Sequence, residues 1–272
     1  MKKALKIWAV ALLLAATVIP AQAQRRVVHY LPKYENEPYH FGFLLGFNEM
    51  MYTIKTIEDY QGKPLSPDSW PLARIPSSTE ALYVYNIETK QKPGFTVGII
   101  GSKRLGRYFD LRFIPTLSFC DRELTYDIKV VGDGDQMKHE EKAIFTTFVE
   151  FPLNIKYRSK RYNNIGAYLM GGINPKIDLA SQKSLFAEVP DPNGNGSFIK
   201  TPINFVPKRF DCAAEIGVGY DFYNQWFKMG IEIKMSYGLL DIVKETGDSP
   251  LIYTAPIDKL RNKMFQISML IE

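Results

Sequence analysis

The sequence is poor in the residue types from which most catalytic and metal centres are built. It holds two cysteines, Cys120 and Cys212, and three histidines, His29, His40 and His139. No two histidines fall on one strand face, so neither a nucleophile triad nor a zinc site is expected. A Gly-rich phosphate loop is missing. Asp191-Pro192-Asn193-Gly194-Asn195-Gly196 matches the first half of a calcium loop, but Pro202 stands where the bidentate Glu belongs. That segment and Asp133-Gly134-Asp135 therefore read as turns. These gaps predict a protein that is not an enzyme, with no cofactor, metal or small-molecule substrate.

Long apolar runs are equally scarce. The only one, residues 7–18, follows Lys2, Lys3 and Lys6 and precedes Ala21-Gln22-Ala23. A basic start, a short apolar stretch and a small-x-small site make a secretory signal peptide over residues 1–23, cleaved after Ala23. A spanning helix needs about 20 apolar residues. The formal charge of +5 includes those three lysines, so the mature chain is nearer +2. No nucleic-acid partner follows from so small an excess. The remaining residues suffice for one large β domain, 40–272, behind an extension at 24–39 holding Pro32 and Pro38.

What the chain does have is alternation. Phe210, Cys212, Ala214, Ile216, Val218, Tyr220 and Phe222 interleave with Asp211, Ala213, Glu215, Gly217, Gly219 and Asp221. After residues 223–226 the pattern resumes, with Phe227, Met229, Ile231, Ile233, Met235 and Tyr237 against Lys228, Gly230, Glu232, Lys234 and Ser236. Period two means a strand with two unlike faces. Either face could be inside. A soluble barrel would bury the apolar row; a membrane barrel reverses this. Glycine on the polar row favours the membrane arrangement, because a wet face gains nothing from glycine while a narrow lumen needs the room.

Further strands are expected at residues 40–54, 94–105, 109–126, 144–158, 165–179 and from 265 to the end. The phase of the fifth is blurred by Gly171, Gly172 and Pro175. The connections 55–92, 131–141, 180–207 and 240–259 read as long, those between them as short, with a possible helical turn in 257–263. This predicts an all-β, eight-stranded antiparallel up-and-down transmembrane barrel in the outer membrane, with both termini periplasmic. Aromatics beside the short turns (Tyr108, Tyr157, Tyr162, Trp226) mark an interfacial girdle. By parity Cys120 points inward and Cys212 outward, so two free thiols are expected.

The inward row then carries Asp110, Arg112, Glu150, Lys156, Arg158, Asp211, Glu215, Asp221, Lys228, Glu232 and Lys234. Charges in a packed lumen must pair. A near-neutral network plugging the barrel is the expected role; the alternative is a ligand or proton path.

Several stretches resemble the PorT family of Bacteroidetes outer-membrane proteins. They are Leu31-Pro32-Lys33-Tyr34, His40-Phe41-Gly42-Phe43, Pro93-Gly94-Phe95, Tyr108-Phe109-Asp110-Leu111-Arg112-Phe113-Ile114-Pro115, Glu150-Phe151-Pro152-Leu153, Lys156-Tyr157, Asp178-Leu179-Ala180-Ser181-Gln182-Lys183 and residues 215–223. The resemblance spans residues 31–272. It implies an accessory role in type IX protein secretion, which exports sorting-domain cargo such as proteases, with other secretion components and membrane lipid as partners. A lumen filled by side chains cannot itself pass cargo. A small outer-membrane enzyme and a loop-mediated adhesin are the other expected roles to be weighed.

Overall fold

The computed structural model describes residues 28–69, 79–132, 135–179, 186–190, 198–202, 206–243 and 251–272. The expected signal peptide, the calcium-loop-like segment and most of Asp133-Gly134-Asp135 lie outside the described residues.

The strands are β1 (Tyr39–Thr56), β2 (Ala81–Arg104), β3 (Phe109–Phe113), β4 (Thr116–Val131), β5 (Gln136–Glu150), β6 (Leu153–Arg158), β7 (Ile165–Asp178), β8 (Phe186–Pro190), β9 (Phe198–Pro202), β10 (Phe210–Tyr223), β11 (Lys228–Gly238) and β12 (Ile257–Ile271). One helical turn, α1 (Leu251–Thr254), precedes β12. All pairings are antiparallel, and β12 joins both β11 and β1, so the sheet closes into a ring, although β5 meets β7 only from Phe148 to Glu150 and β12 meets β11 only from Lys263 onward.

Ten segments build eight staves. β2 pairs with β3 at one end and β4 at the other, while β6 and β5 together face them. β3 and β4 are thus one stave broken at Ile114-Pro115, and β5 and β6 one stave broken at Phe151-Pro152. Proline lacks the N–H that a ladder needs. The two breaks lie side by side: the Ile114 N–H donates to Pro152 O, and Phe151 N–H to Pro175 O. β8 and β9 form a separate hairpin outside the ring.

The wall has the expected hand. Phe41, Phe43 and Phe47 are 66 to 80% exposed, and Ile231 and Ile233 face outward with Glu232 buried between them. Gly219 shows why glycine sits on the inner row. A Cβ there would come within 2.4 Å of the Tyr168 ring, which fills the lumen at that level. Cys120 is buried and Cys212 lies on the outer row, both as free thiols.

Several expected boundaries need correction, for one shared reason. β2 begins at Ala81 inside the expected loop, β4 runs to Val131, β5 starts at Gln136, and β12 starts at Ile257 where a helical turn was expected. The third connection is therefore only residues 132–135, and His139 is on a strand rather than in a loop. Over these extensions the two faces exchange character. On β1 the outward row changes from Phe47 to Glu49 and Lys55, while the inward row changes from Asn48 to Met50 and Tyr52. Beyond the apolar belt the extended ends of β1, β2, β4, β5 and β12, with the α1 turn, enclose a conventional core of Tyr52, Leu82, Leu124, Tyr126, Ile252 and Leu260, among others. Alternation continues there with its polarity inverted.

Three other expectations change. β7 pairs with β10 without interruption from Ile165↔Phe222 to Ile177↔Phe210, so its phase is regular despite Gly171, Gly172 and Pro175. The inward row, expected to be polar, is interrupted at Ile100, which is buried against Leu44, Ile114 and Leu270. The leader is not merely extended: it makes a 3-10 turn, Tyr34–Asn36, across the barrel end that carries the short turns.

Candidate functional site

Alternation forces the charged side chains of every stave toward one axis, and the structure places all eleven expected residues on the inner wall. Ten are buried; Arg158 is half-buried at the short-turn end. They meet in three tiers.

The first tier lies nearest the short turns. The Arg112 Nη1 donates to Glu232 Oε2 at 2.7 Å, and its Nη2 to Glu272 Oε1 at 3.2 Å. Lys228 also donates to Glu272 and approaches Asp221, which accepts from Lys156 Nζ at 2.7 Å. The Tyr168 hydroxyl donates to Glu232 Oε2 at 2.8 Å, with Lys156 Nζ 3.6 Å from the centroid of its ring. Arg158 pairs with Asp110 at 2.7 Å. The leader completes this tier. Tyr34 donates to Glu272 Oε2 at 2.7 Å and stacks on His40 at 4.0 Å. Burial, then the Glu272 carboxylate, pushes the Tyr34 phenol well above its usual range.

In the second tier Glu215 accepts from Lys234, from Asn154 at 3.0 Å and from Asn174 at 2.8 Å. Asn174 also donates to Glu150. In the third, Lys176 faces Asp211 at 3.6 Å, Asp211 accepts from Asn262 at 2.7 Å, and Arg122 donates to Asn262 at 2.6 Å and faces Asp178 at 3.6 Å. Arg122 also lies over the Tyr52 ring, where the interior turns apolar.

Arg122, Lys176, Asp178 and Glu272 extend the network beyond the residues expected from sequence. Arg122 shares the face of Cys120, and Lys176 that of Asn174, so parity was the signal that could have found them. Tyr168 and the asparagines carry no charge and gave no such signal. Two added bases and two added acids keep the set near neutrality.

Several pairs join neighbouring staves, as Lys234–Glu215 and Lys176–Asp211 do, but the Arg112–Glu232 pair crosses the lumen. β3 and β11 are opposite in the eight-stave ring, so the Arg112–Glu232 pair spans the axis. An eight-stave barrel is narrow enough for side chains to fill. Each buried charge with a partner avoids the cost of an isolated ion. Chemically this arrangement braces and plugs. The three histidines stay apart: His29 at the short-turn mouth, His40 buried under Tyr34, and His139 on the outer face, 2.7 Å from Asp127. Among the described residues no group of three or more His, Cys, Asp or Glu side chains could hold a metal ion.

A closed antiparallel sheet with an apolar outer wall and a charged interior defines an integral β-barrel membrane protein. Residues 21–244 match the outer membrane protein beta-barrel domain family, and the chain belongs to it. Its setting is accordingly the outer membrane and its lipid. The chain is also similar to the outer membrane protein OprG from Pseudomonas aeruginosa. The identity is 12% and the TM-score 0.32, covering 85% of this chain and 92% of that one. A comparison with curated proteins gives no match.

Proposed function

We propose that this barrel is a non-enzymatic accessory component of type IX secretion, needed for export of sorting-domain cargo and working beside the pore. The observation that carries the reading is the Arg112–Glu232 pair across the lumen, which suits a brace and not a conduit. The secretion role itself rests on the resemblance to the PorT family over residues 31–272. In this reading the signal peptide ends at Ala23 and both termini face the periplasm. The long connections and the inverted-polarity extension then project outside the cell. Those surfaces and the lipid-facing wall are what the protein offers to other secretion components.

Deleting the gene is expected to trap sorting-domain cargo in the periplasm, with export restored by the intact chain. Normal export in the deletion strain would overturn the proposal. An enzyme acting on membrane lipid would need a reactive set at one rim, whereas His29 lines the short-turn cavity, His40 is buried beneath Tyr34 and His139 lies on the outer face at the other end; unchanged lipid A in the deletion strain would count against that reading too. An adhesin reading draws on the outer extension, whose packed core makes a rigid platform. Trimming residues 55–80 should then abolish host binding and spare secretion.

A further inference from the structure

The short-turn mouth carries positive charge that the lumen network does not neutralise. A cavity of about 340 Å³ opens there between the leader and the turns at residues 105–108 and 159–164. Four cations line it. Arg158 is matched by Asp110. Arg107, Lys160 and Arg161 have no carboxylate within ion-pair distance among the described residues. Arg107 lies over the Tyr108 ring at 5.4 Å, and Arg161 donates to Tyr30 O and to Asn164 Oδ1. The two carboxylates lining the cavity are Glu35 and Asp221, and Asp221 is already engaged by Lys156.

A second recess adjoins this one on the lipid-facing wall. It has a volume of about 400 Å³, shares Ser159 and Ala167 with the first, and is bordered by Tyr157, Leu169, Val218 and Tyr220. Those four side chains are 46 to 57% exposed. Ala167 pairs with Tyr220 and receives the Ser159 N–H on its carbonyl, so its methyl group is the small side chain between large neighbours. A cationic recess at the level of the aromatic girdle thus opens onto an apolar groove in the hydrocarbon.

We propose that the two recesses form one binding site for a phosphate-bearing lipid. Arg107 and Lys160 receive the headgroup, and an acyl chain lies in the groove floored by Ala167. Guanidinium and ammonium donors suit phosphate oxygens. The groove faces hydrocarbon and excludes a fully hydrated ligand along its length. The site stands on the membrane crossing alone and is independent of the secretion role.

The test uses the full-length barrel in detergent, with retained ligand counted by native mass spectrometry for phosphatidylglycerol, phosphatidylcholine and inorganic phosphate. Phosphatidylglycerol is expected to be held at roughly tenfold lower concentration than phosphatidylcholine, from the attraction of two basic residues to an anionic lipid. The R107Q/K160Q variant should erase that preference. A167L should weaken phosphatidylglycerol several-fold while leaving any phosphate binding unchanged. Equal retention of the two lipids, or a preference that survives R107Q/K160Q, would overturn the site. Inorganic phosphate held as tightly as phosphatidylglycerol, with A167L altering neither, would overturn the lipid assignment in favour of a free anion. R107Q and K160Q remove no ion pair of the lumen, so the fold is expected to persist, as heat-modifiable gel migration would check.

Discussion

Asn48 and Tyr52 are four residues apart on β1 and both point at the barrel axis, yet they face different interiors. Asn48 donates to Thr96 in a hydrogen-bonded polar lumen. Tyr52 packs in an apolar core with Leu124 and Leu260. Outside, the wall changes in the opposite sense, from Phe47 to Glu49. The lower part is stabilised by paired charges within and hydrocarbon without; the upper part is built like a water-soluble domain. β1, β2, β4, β5 and β12 run unbroken from one part into the other, because a strand dictates only that faces alternate and the solvent decides which face is greasy.

Mutations can break the two parts by different mechanisms. R112A would leave Glu232 and Glu272 facing each other without their shared guanidinium, at an expected cost of about 3–5 kcal/mol. A lowered urea midpoint of the detergent-folded barrel would register it, and neutralising Glu232 as well (R112M/E232Q) should recover much of the loss. In the upper part, L260A would open a cavity costing about 2–5 kcal/mol, with no double variant able to rescue it by charge. Equal rescue in both parts would erase the distinction.

The outer wall separates them as well. I233K places a cation in hydrocarbon and should cost about 2–4 kcal/mol in lipid vesicles, while T53K, beyond the belt, should be close to neutral. The smallest effect belongs to Asp127, whose carboxyl is held below its usual range by the hydrogen bond from His139. A depressed folded-state pKa means that its stabilisation is present above the unfolded carboxylate range and is lost as pH falls. D127N should therefore flatten the acid side of the stability profile by under about 1 kcal/mol, since the pair is largely solvated.

The same contrast decides which parts of the fold are legible in the residues alone. The belt is legible: the 210–237 hairpin shows both the strand period and the polarity expected of a lipid-facing wall. The upper staves keep the period but invert the polarity, so Leu82, Val84, Tyr126 and Ile128 have no place in a wall assumed to be greasy outside and charged within. The prolines at 115 and 152 split staves without ending them, because neighbouring carbonyls still receive the flanking N–H groups. Within the lumen, charge identifies most of the network. The ring of Tyr168 and the amides of Asn154, Asn174 and Asn262 are silent, since a neutral side chain on an inner row looks the same whether it bridges two ions or merely fills space.

The crossover of the two rows near Asn48 and Glu49 also acts as a waterline. Sinking the molecule by one residue pair would drag Glu49 into oil, and raising it would strand Phe47 in water. The barrel therefore floats at a single draught, and a bilayer thinner or thicker than its belt must bend to meet it.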